Sequence, residues 1–312
     1  MKNLELNTWL VALDKTEMDY NIIKHVHFWE KILKPKHITF VHIRKESENW
    51  DSGDNTHFNK MVKKERELDH KWIELMNERI KSNGADTPFD VKVNYGNSFD
   101  RVLEICHKDK INLVIAGKKQ KSESAGTLSE EFARRLPASF LLIPENAQSK
   151  CDNIMIASDF SDYSSYAISY AANLVSTMPN KIQLHIANVY SVPTGYHYIG
   201  KTFEECGYDM QKHAQNKMDR QLKTLNLNDI MVHFHLKKES HSAKHIFDMS
   251  NECNADLVVF GAKGATETAY NLIGSTASRM LRFVGKAPLL IIKKPGESYS
   301  FLKALGQIIE PT

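Results

Sequence analysis

The sequence predicts an α/β protein of two tandem doubly wound domains, each a five-stranded parallel sheet flanked by helices. Three observations predict it: an internal duplication, short apolar strands alternating with amphipathic helices, and a length of 312 residues that suits two domains of ordinary size.

The duplication is read from matched strands. Trp9-Leu10-Val11-Ala12-Leu13-Asp14 opens the first half and Ile154-Met155-Ile156-Ala157-Ser158-Asp159 the second, each a short apolar run ending at Asp. Leu113 to Gly117 matches Leu257 to Gly261, and Phe140-Leu141-Leu142-Ile143 matches Pro288-Leu289-Leu290-Ile291-Ile292. Asp14 and Asp159 lie 145 residues apart, Gly117 and Gly261 144, and Leu141 and Leu289 148. One duplicated domain explains all three spacings.

In the first repeat, strands are expected at Thr8 to Leu13, His37 to Ile43, Phe89 to Tyr95, Leu113 to Gly117 and Ser139 to Ile143. Their counterparts fall near 153–158, 182–190, 230–236, 256–261 and 288–293. Between them, Met18, Ile22, Val26, Trp29 and Leu33 recur at helical steps, as do Tyr163, Ala167, Tyr170, Ala171, Leu174, Val175 and Met178. A longer stripe through Phe58, Met61, Val62, Leu68, Trp72, Leu75, Met76 and Ile80 predicts a long second helix, with Met210 to Leu225 as its weaker counterpart. Such alternation implies parallel sheets covered on both faces. The polar stretch from Glu145 to Cys151 is the natural linker, giving domains at 1–147 and 151–295 and a tail at 296–312. The tail carries Phe301, Leu302, Leu305, Ile308 and Ile309 at helical spacing and is expected to dock on its own chain.

The second repeat holds the chemistry. Gly261-Ala262-Lys263-Gly264 is followed by nine residues and then Gly274-Ser275-Thr276, with a buried strand before the loop and a helix from Ser275 to Val284 after it. Glycine lets backbone N–H groups approach an anion closely, and the first turn of a helix offers unpaired N–H groups at its positive end. Ligands of such sheets bind beyond the carboxyl ends of the strands. Asp159, Val189 and Gly261 all end predicted strands, so they are expected at one crevice. Each also has a plainer reading: Asp159 as a turn or helix cap, Val189 as packing, Ser275 as an N-cap, Lys263 as a solvated loop lysine.

The second repeat resembles the universal stress protein domain over essentially its whole length. The spacing Gly261-x2-Gly264-x9-Gly274-Ser275 is similar to that family's nucleotide-binding pattern, and Asp159 sits where its first-strand Asp sits. The resemblance implies that Gly261, Gly264, Gly274 and Ser275, with Thr276 beside them, hold ATP phosphates, and that Asp159 and Val189 lie by the ribose and adenine. Lys263 is added from its charge. ATP or a related adenine nucleotide is the expected ligand, with Mg²⁺ left open. The resemblance also implies pairing through the last strands, so the two repeats are expected to pack as a dimer-like pair within the chain. A further homo-oligomer or protein partner stays open.

The first repeat departs from this pattern. After Gly117 come Lys118, Lys119 and Gln120, and five residues rather than nine precede Gly126-Thr127. No ATP site of the family's kind is expected there, although the lysines are placed to attract an anion from solvent.

Composition narrows the rest. Forty-one basic and thirty-eight acidic residues leave a net +3, too little to drive nucleic-acid binding. Neither a signal-peptide run nor a transmembrane stretch appears, and Cys106, Cys151, Cys206 and Cys253 show no CxxC or metal spacing; a cytoplasmic protein with reduced thiols is expected. Cys106 and Cys253 are expected to point into the domain from matching helices. His233, His235, His241 and His245 form the densest histidine cluster, for which zinc is geometrically conceivable. There is no GxSxG, HExxH or GxxxxGK[ST], so any hydrolysis of ATP is expected to be slow. The reading is an ATP-binding stress-response or signalling protein, with a nucleotide-independent interaction protein of the same fold as the alternative.

Overall fold

Strands that are apolar on both faces need cover on both sides, and the helices between them provide it. The computed structural model describes residues 6–45, 55–120, 127–178, 181–225, 230–237, 241–263, 273–283 and 285–294. They form two compact units that divide between Gly117 and Lys118.

The first unit runs β1 (Thr8–Leu13), α1 (Met18–Leu33), β2 (His37–Arg44), α2 (Asn55–Ser82), β3 (Phe89–Tyr95), α3 (Ser98–Lys108) and β4 (Leu113–Lys118). The strands are parallel in the order β3-β2-β1-β4, with Thr8 opposite His37 and Trp9 opposite Leu113. Trp9, Leu10 and Val11 are completely buried, as β1 is central. Helix α3 starts where the Asn97 side chain accepts the amides of Phe99 (2.9 Å) and Asp100 (3.2 Å). On α2, Met76 and Ile80 are buried, but the predicted core stripe is wrong at Leu68 and Leu75, which are half exposed. The buried face runs through Asp69 instead.

The second unit runs α4 (Thr127–Arg135), β5 (Ser139–Pro144), β6 (Asn153–Ala157), α5 (Asp162–Ser176), β7 (Gln183–Ser191), α6 (Phe203–Leu225), β8 (Met231–Lys237), α7 (Ser242–Glu252), β9 (Leu257–Gly261), α8 (Ser275–Met280) and β10 (Leu289–Ile292). Five parallel strands are ordered β10-β9-β6-β7-β8, and β5 joins antiparallel to β10, with Leu142 opposite Leu289 and Phe140 opposite Ile291. Both β5 and β10 are buried along their length rather than forming exposed edges.

The repeat is visible in hydrogen bonds as well as strands. Asn112 Oδ1 accepts the Thr8 amide at 3.0 Å, and Asp256 Oδ2 accepts the Asn153 amide at 3.1 Å, so the residue before one strand caps the start of its neighbour in both halves. Lys15 and Phe160, equivalent by the same spacing, both have left-handed backbones, φ 61° and 64°.

Two helices differ from expectation. Helix α6 begins at Phe203, well before Met210. Helix α8 stops at Met280, where the chain tightens into i→i−3 bonds from Arg282 to Arg279 (3.0 Å) and Phe283 to Met280 (3.1 Å). The loops 121–126 and 264–272 and the tail 295–312, with its predicted helix, lie outside the described residues.

Candidate functional site

The carboxyl ends of β6, β7 and β9 open onto a cleft of about 650 Å³ that is continuous with solvent. Asp159, Val189, Gly261, Lys263, Gly274, Ser275 and Thr276 all line it. Gly264, the remaining predicted residue, lies outside the described residues. Segments from four strands and helices thus meet where the sheet ends, as parallel sheets arrange their sites.

Hydrogen bonds fix the cleft's floor. The Ser158 hydroxyl bonds Ser164 Oγ (3.3 Å) and Gln221 Oε1 (3.2 Å), tying β6 to α5 and α6. Asn188, buried on β7, donates to the Ser158 carbonyl at 2.8 Å. The Ser161 amide donates to Asp159 Oδ1 at 3.1 Å, and Ser161 caps α5 through the Ser164 amide at 3.2 Å. Asp159 therefore performs the turn-forming role of its plainer reading while staying exposed at the cleft. Asp14 does the same in the first unit, accepting the Thr16 amide at 3.2 Å.

The glycines act locally in different ways. A Cβ on Gly261 would meet the Tyr163 carbonyl at 2.6 Å, so this residue lets α5 lie directly on the strand end. The Gly274 amide donates to the Ala262 carbonyl at 2.6 Å, and Ala262 in turn donates to Ile292 at 2.8 Å. Whatever path the intervening loop takes, its two ends are stitched together and Gly274 becomes the N-cap of α8. Lys263 Nζ stands 5.7 Å from the centre of the Tyr163 ring, a cation held at the rim by an aromatic face.

With these strands, turns and loop ends in view, comparison with known proteins becomes informative. Residues 150–293 match the universal stress protein family. This half of the chain belongs to that family. Over the whole chain, the fold is similar to that of a universal stress protein from Archaeoglobus fulgidus DSM 4304, at 17% identity and a TM-score of 0.64, covering 95% of this chain and 99% of that one. A functionally unknown protein from Pseudomonas aeruginosa PAO1 is similar too, at 12% identity and a TM-score of 0.62, covering 97% and 98%. Among curated proteins none matches. At these identities the likeness is one of fold, and it extends over both halves of the chain.

In the first unit the ends of β1 and β2, the counterparts of β6 and β7, are tied together with that of β3 by a buried carboxylate. Asp69 of α2 is 4% exposed and accepts Lys15 Nζ (2.5 Å), Arg44 Nη2 (2.6 Å) and the Tyr95 hydroxyl (2.7 Å), drawn from the ends of β1, β2 and β3. By strand register Arg44 is the counterpart of Tyr190, one residue beyond Val189. Burial pushes the Asp69 carboxyl up, but the hydrogen bonds from Arg44, Lys15 and Tyr95 together hold it at about 2. Lys15 also lies 4.9 Å over the Trp72 ring. Sequence reading missed this network; the signal was Asp69-Trp72-Met76-Ile80 at steps of three and four, which puts the acid on the buried face.

Two further expectations change. Lys118 does not face solvent: it is buried, its ammonium donating to the carbonyls of Leu281 and of Phe283, the latter at 3.0 Å. The histidine cluster splits into two pairs. His185 Nδ1 meets His233 Nε2 at 3.0 Å, while the His235 and His245 rings lie 4.3 Å apart and His241 is the N-cap residue of α7. Among the described residues no three His, Cys, Asp or Glu side chains gather to hold a metal, and no helix is long and apolar enough to cross a membrane. Cys106 is buried, whereas Cys253 is partly exposed.

Proposed function

We propose that the cleft of the second unit binds an adenine nucleotide, ATP or a close relative, and that the chain is a nucleotide-binding stress-response or signalling protein. One observation carries the reading: seven residues chosen from the sequence by spacing, charge and family resemblance, from 159 to 276, line a single cleft at the strand ends of a universal stress protein domain. In this reading Gly261, Gly264, Gly274, Ser275 and Thr276 hold the phosphates with Lys263 as the protein's cation, and Asp159 and Val189 lie by the ribose and adenine.

The first repeat is read as a non-binding copy, domain 1–147 against domain 151–295, paired with the second in the dimer-like manner that the β5–β10 strand contact favours. A nucleotide-independent scaffold is the second reading, favoured by the Asp69 network that ties the ends of β1, β2 and β3 together in the first repeat. Rapid hydrolysis has little support, since the one carboxylate among the described lining residues, Asp159, accepts a backbone amide.

Calorimetry of nucleotide-stripped protein with ATP, AMP and cyclic AMP tests the proposal, paired with Gly264→Gln, which copies Gln120 of the first repeat. Micromolar or tighter ATP binding, weakened at least tenfold in the variant, is expected. Unchanged affinity in Gly264→Gln would sink the phosphate-cradle reading.

A further inference from the structure

Helix α8 has six residues, too few internal hydrogen bonds to hold its own shape, so its placement is decided by what grips it from outside. It matters because Ser275, Thr276 and Ala277 of this helix line the cleft. Two grips come from residues 118–135, which the repeat assigns to the first half of the sequence. Glu130 on α4 accepts the Ser278 hydroxyl at 2.8 Å and the Arg282 guanidinium at 3.1 Å (Nε) and 3.0 Å (Nη2). Lys118, at the end of β4, donates its ammonium to the carbonyl of Leu281, the C-cap residue of α8 whose carbonyl a helix leaves unpaired, and to that of Phe283 two residues beyond. A third contact comes from within the second repeat: Phe283 stacks on Phe247 of α7, ring centres 5.0 Å apart.

We infer that Lys118 and Glu130 are positioning residues of the cleft, holding α8 at its carboxyl end and along one flank so that Ser275 and Thr276 face the ligand. The inference rests on the adenine-nucleotide reading of that cleft. It gives the first half of the chain a part in the site of the second: without residues 118–135, α8 keeps its N-cap and loses two of its outside anchors.

The charges around the anchors define a signature. Lys118 faces Glu130 from α4, and its own carbonyl accepts the Glu145 amide at 2.9 Å. Glu130 faces Arg282 and, at 3.9 Å, Arg134. Burial pulls the Lys118 ammonium down to about 8, with the Glu130 charge opposing the fall. Between about pH 7 and pH 9 the anchor therefore passes from a charged donor to a weaker neutral one. An arginine at this position keeps its charge over that range.

The experiment is ATP calorimetry on the full chain from pH 7 to pH 9.5 for wild type, Lys118→Arg, Lys118→Met and Glu130→Gln, with amide exchange of residues 275–280 followed in parallel. Wild-type affinity is expected to fall about five- to tenfold across the range, the scale of weakening a charged hydrogen bond. Lys118→Arg should bind like wild type at pH 7 and lose the step, whereas Lys118→Met should bind weakly at every pH. Glu130→Gln should weaken binding with the step retained, and exchange at 275–280 should accelerate in the last two variants. Circular dichroism and denaturant midpoints confirm that each variant folds; Lys118→Arg and Glu130→Gln preserve size and polarity for that purpose. Unchanged ATP affinity in both Lys118→Met and Glu130→Gln, or a pH step that persists in Lys118→Arg, would overturn the inference. If wild type binds no adenine nucleotide, the functional reading fails by itself, and amide exchange decides the anchors: acceleration upholds them and unchanged exchange removes them.

Discussion

Gly261 lies so close to Tyr163 that a Cβ on the glycine would meet the tyrosine's carbonyl carbon and oxygen at 2.6 Å. The equivalent pair in the first unit is Gly117 and Met18, where the added Cβ would meet Met18 Cγ at 2.7 Å and Ile22 Cδ1 at 2.9 Å. The first glycine of the loop pattern therefore has a packing task in both repeats, one with the full glycine spacing and one without it. In the proposed reading, a binding and a non-binding copy differ at the next three residues, Ala262-Lys263-Gly264 against Lys118-Lys119-Gln120, and in the length of the loop.

Gly261→Ala should consequently destabilise the protein more than Gly117→Ala. Backbone cannot step aside as the ends of Met18 and Ile22 can, so about 1–3 kcal/mol is expected for the former and less for the latter. Urea unfolding of the two variants checks the order. An equal loss in both would show that α5 moves as easily as a side chain.

Asp69 should make the first unit sensitive to strong acid. Its folded pKa lies near 2, below the ordinary 3.8, so its contribution is present above about pH 4 and disappears as pH falls through 2. Asp69→Ala leaves Lys15 and Arg44 without their buried partner and should cost about 2–4 kcal/mol at pH 7, under the fully buried range because both cations keep some solvent. The variant should also lose most of the wild type's decline in unfolding midpoint between pH 4 and pH 2.

Asp19 behaves in the opposite sense. Burial, aided by the neighbouring Asp14 charge, raises its carboxyl to about 6 against the pull of amide hydrogen bonds from Asp14 and Lys15. A raised carboxyl favours the folded state most below about pH 4, and that contribution is lost as pH rises through 6. Carbon-13 NMR of the aspartate carboxyls should find one midpoint near 6 that vanishes in Asp19→Asn. A full set of midpoints at or below 4 would contradict the assignment.

The His185 and His233 pair should oppose acidification. Burial, and then the charge of His233, lowers the His185 pKa below its ordinary 6.5, so the folded protein resists a proton that the unfolded chain accepts. Stability should rise with pH through the histidine range and be lost as pH falls below about 6.5. His185→Gln should flatten part of that slope, the remainder coming from His42, His107 and His245, which are lowered in the same direction. Unfolding midpoints between pH 5 and pH 7.5 read the difference.

Much of the architecture was legible because its signals are local. Strands such as Leu113–Lys118 and Leu257–Gly261 are continuous apolar runs, and the helices between them keep a helical period. Boundaries were less legible: α8 stops at Met280, and its C-cap residue Leu281 is bonded by Lys118, a partner 163 residues away. Leu68 and Leu75 were misplaced for a related reason, since the hydrophobic stripe gave no weight to Asp69, and α2 turned so that the acid faced three donors.

The sequence by itself determined the duplication, the parallel character of the strands and seven residues that line the second cleft, because each is written in local pattern and position along the chain. Tertiary structure decided that the first copy's strand ends are tied together by Asp69, and that α8 is anchored from the first half of the sequence. Those outcomes depend on which charges meet across more than twenty to more than a hundred residues, as in Arg44 with Asp69 and Glu130 with Arg282, and burial makes such pairs decisive where spacing alone is silent.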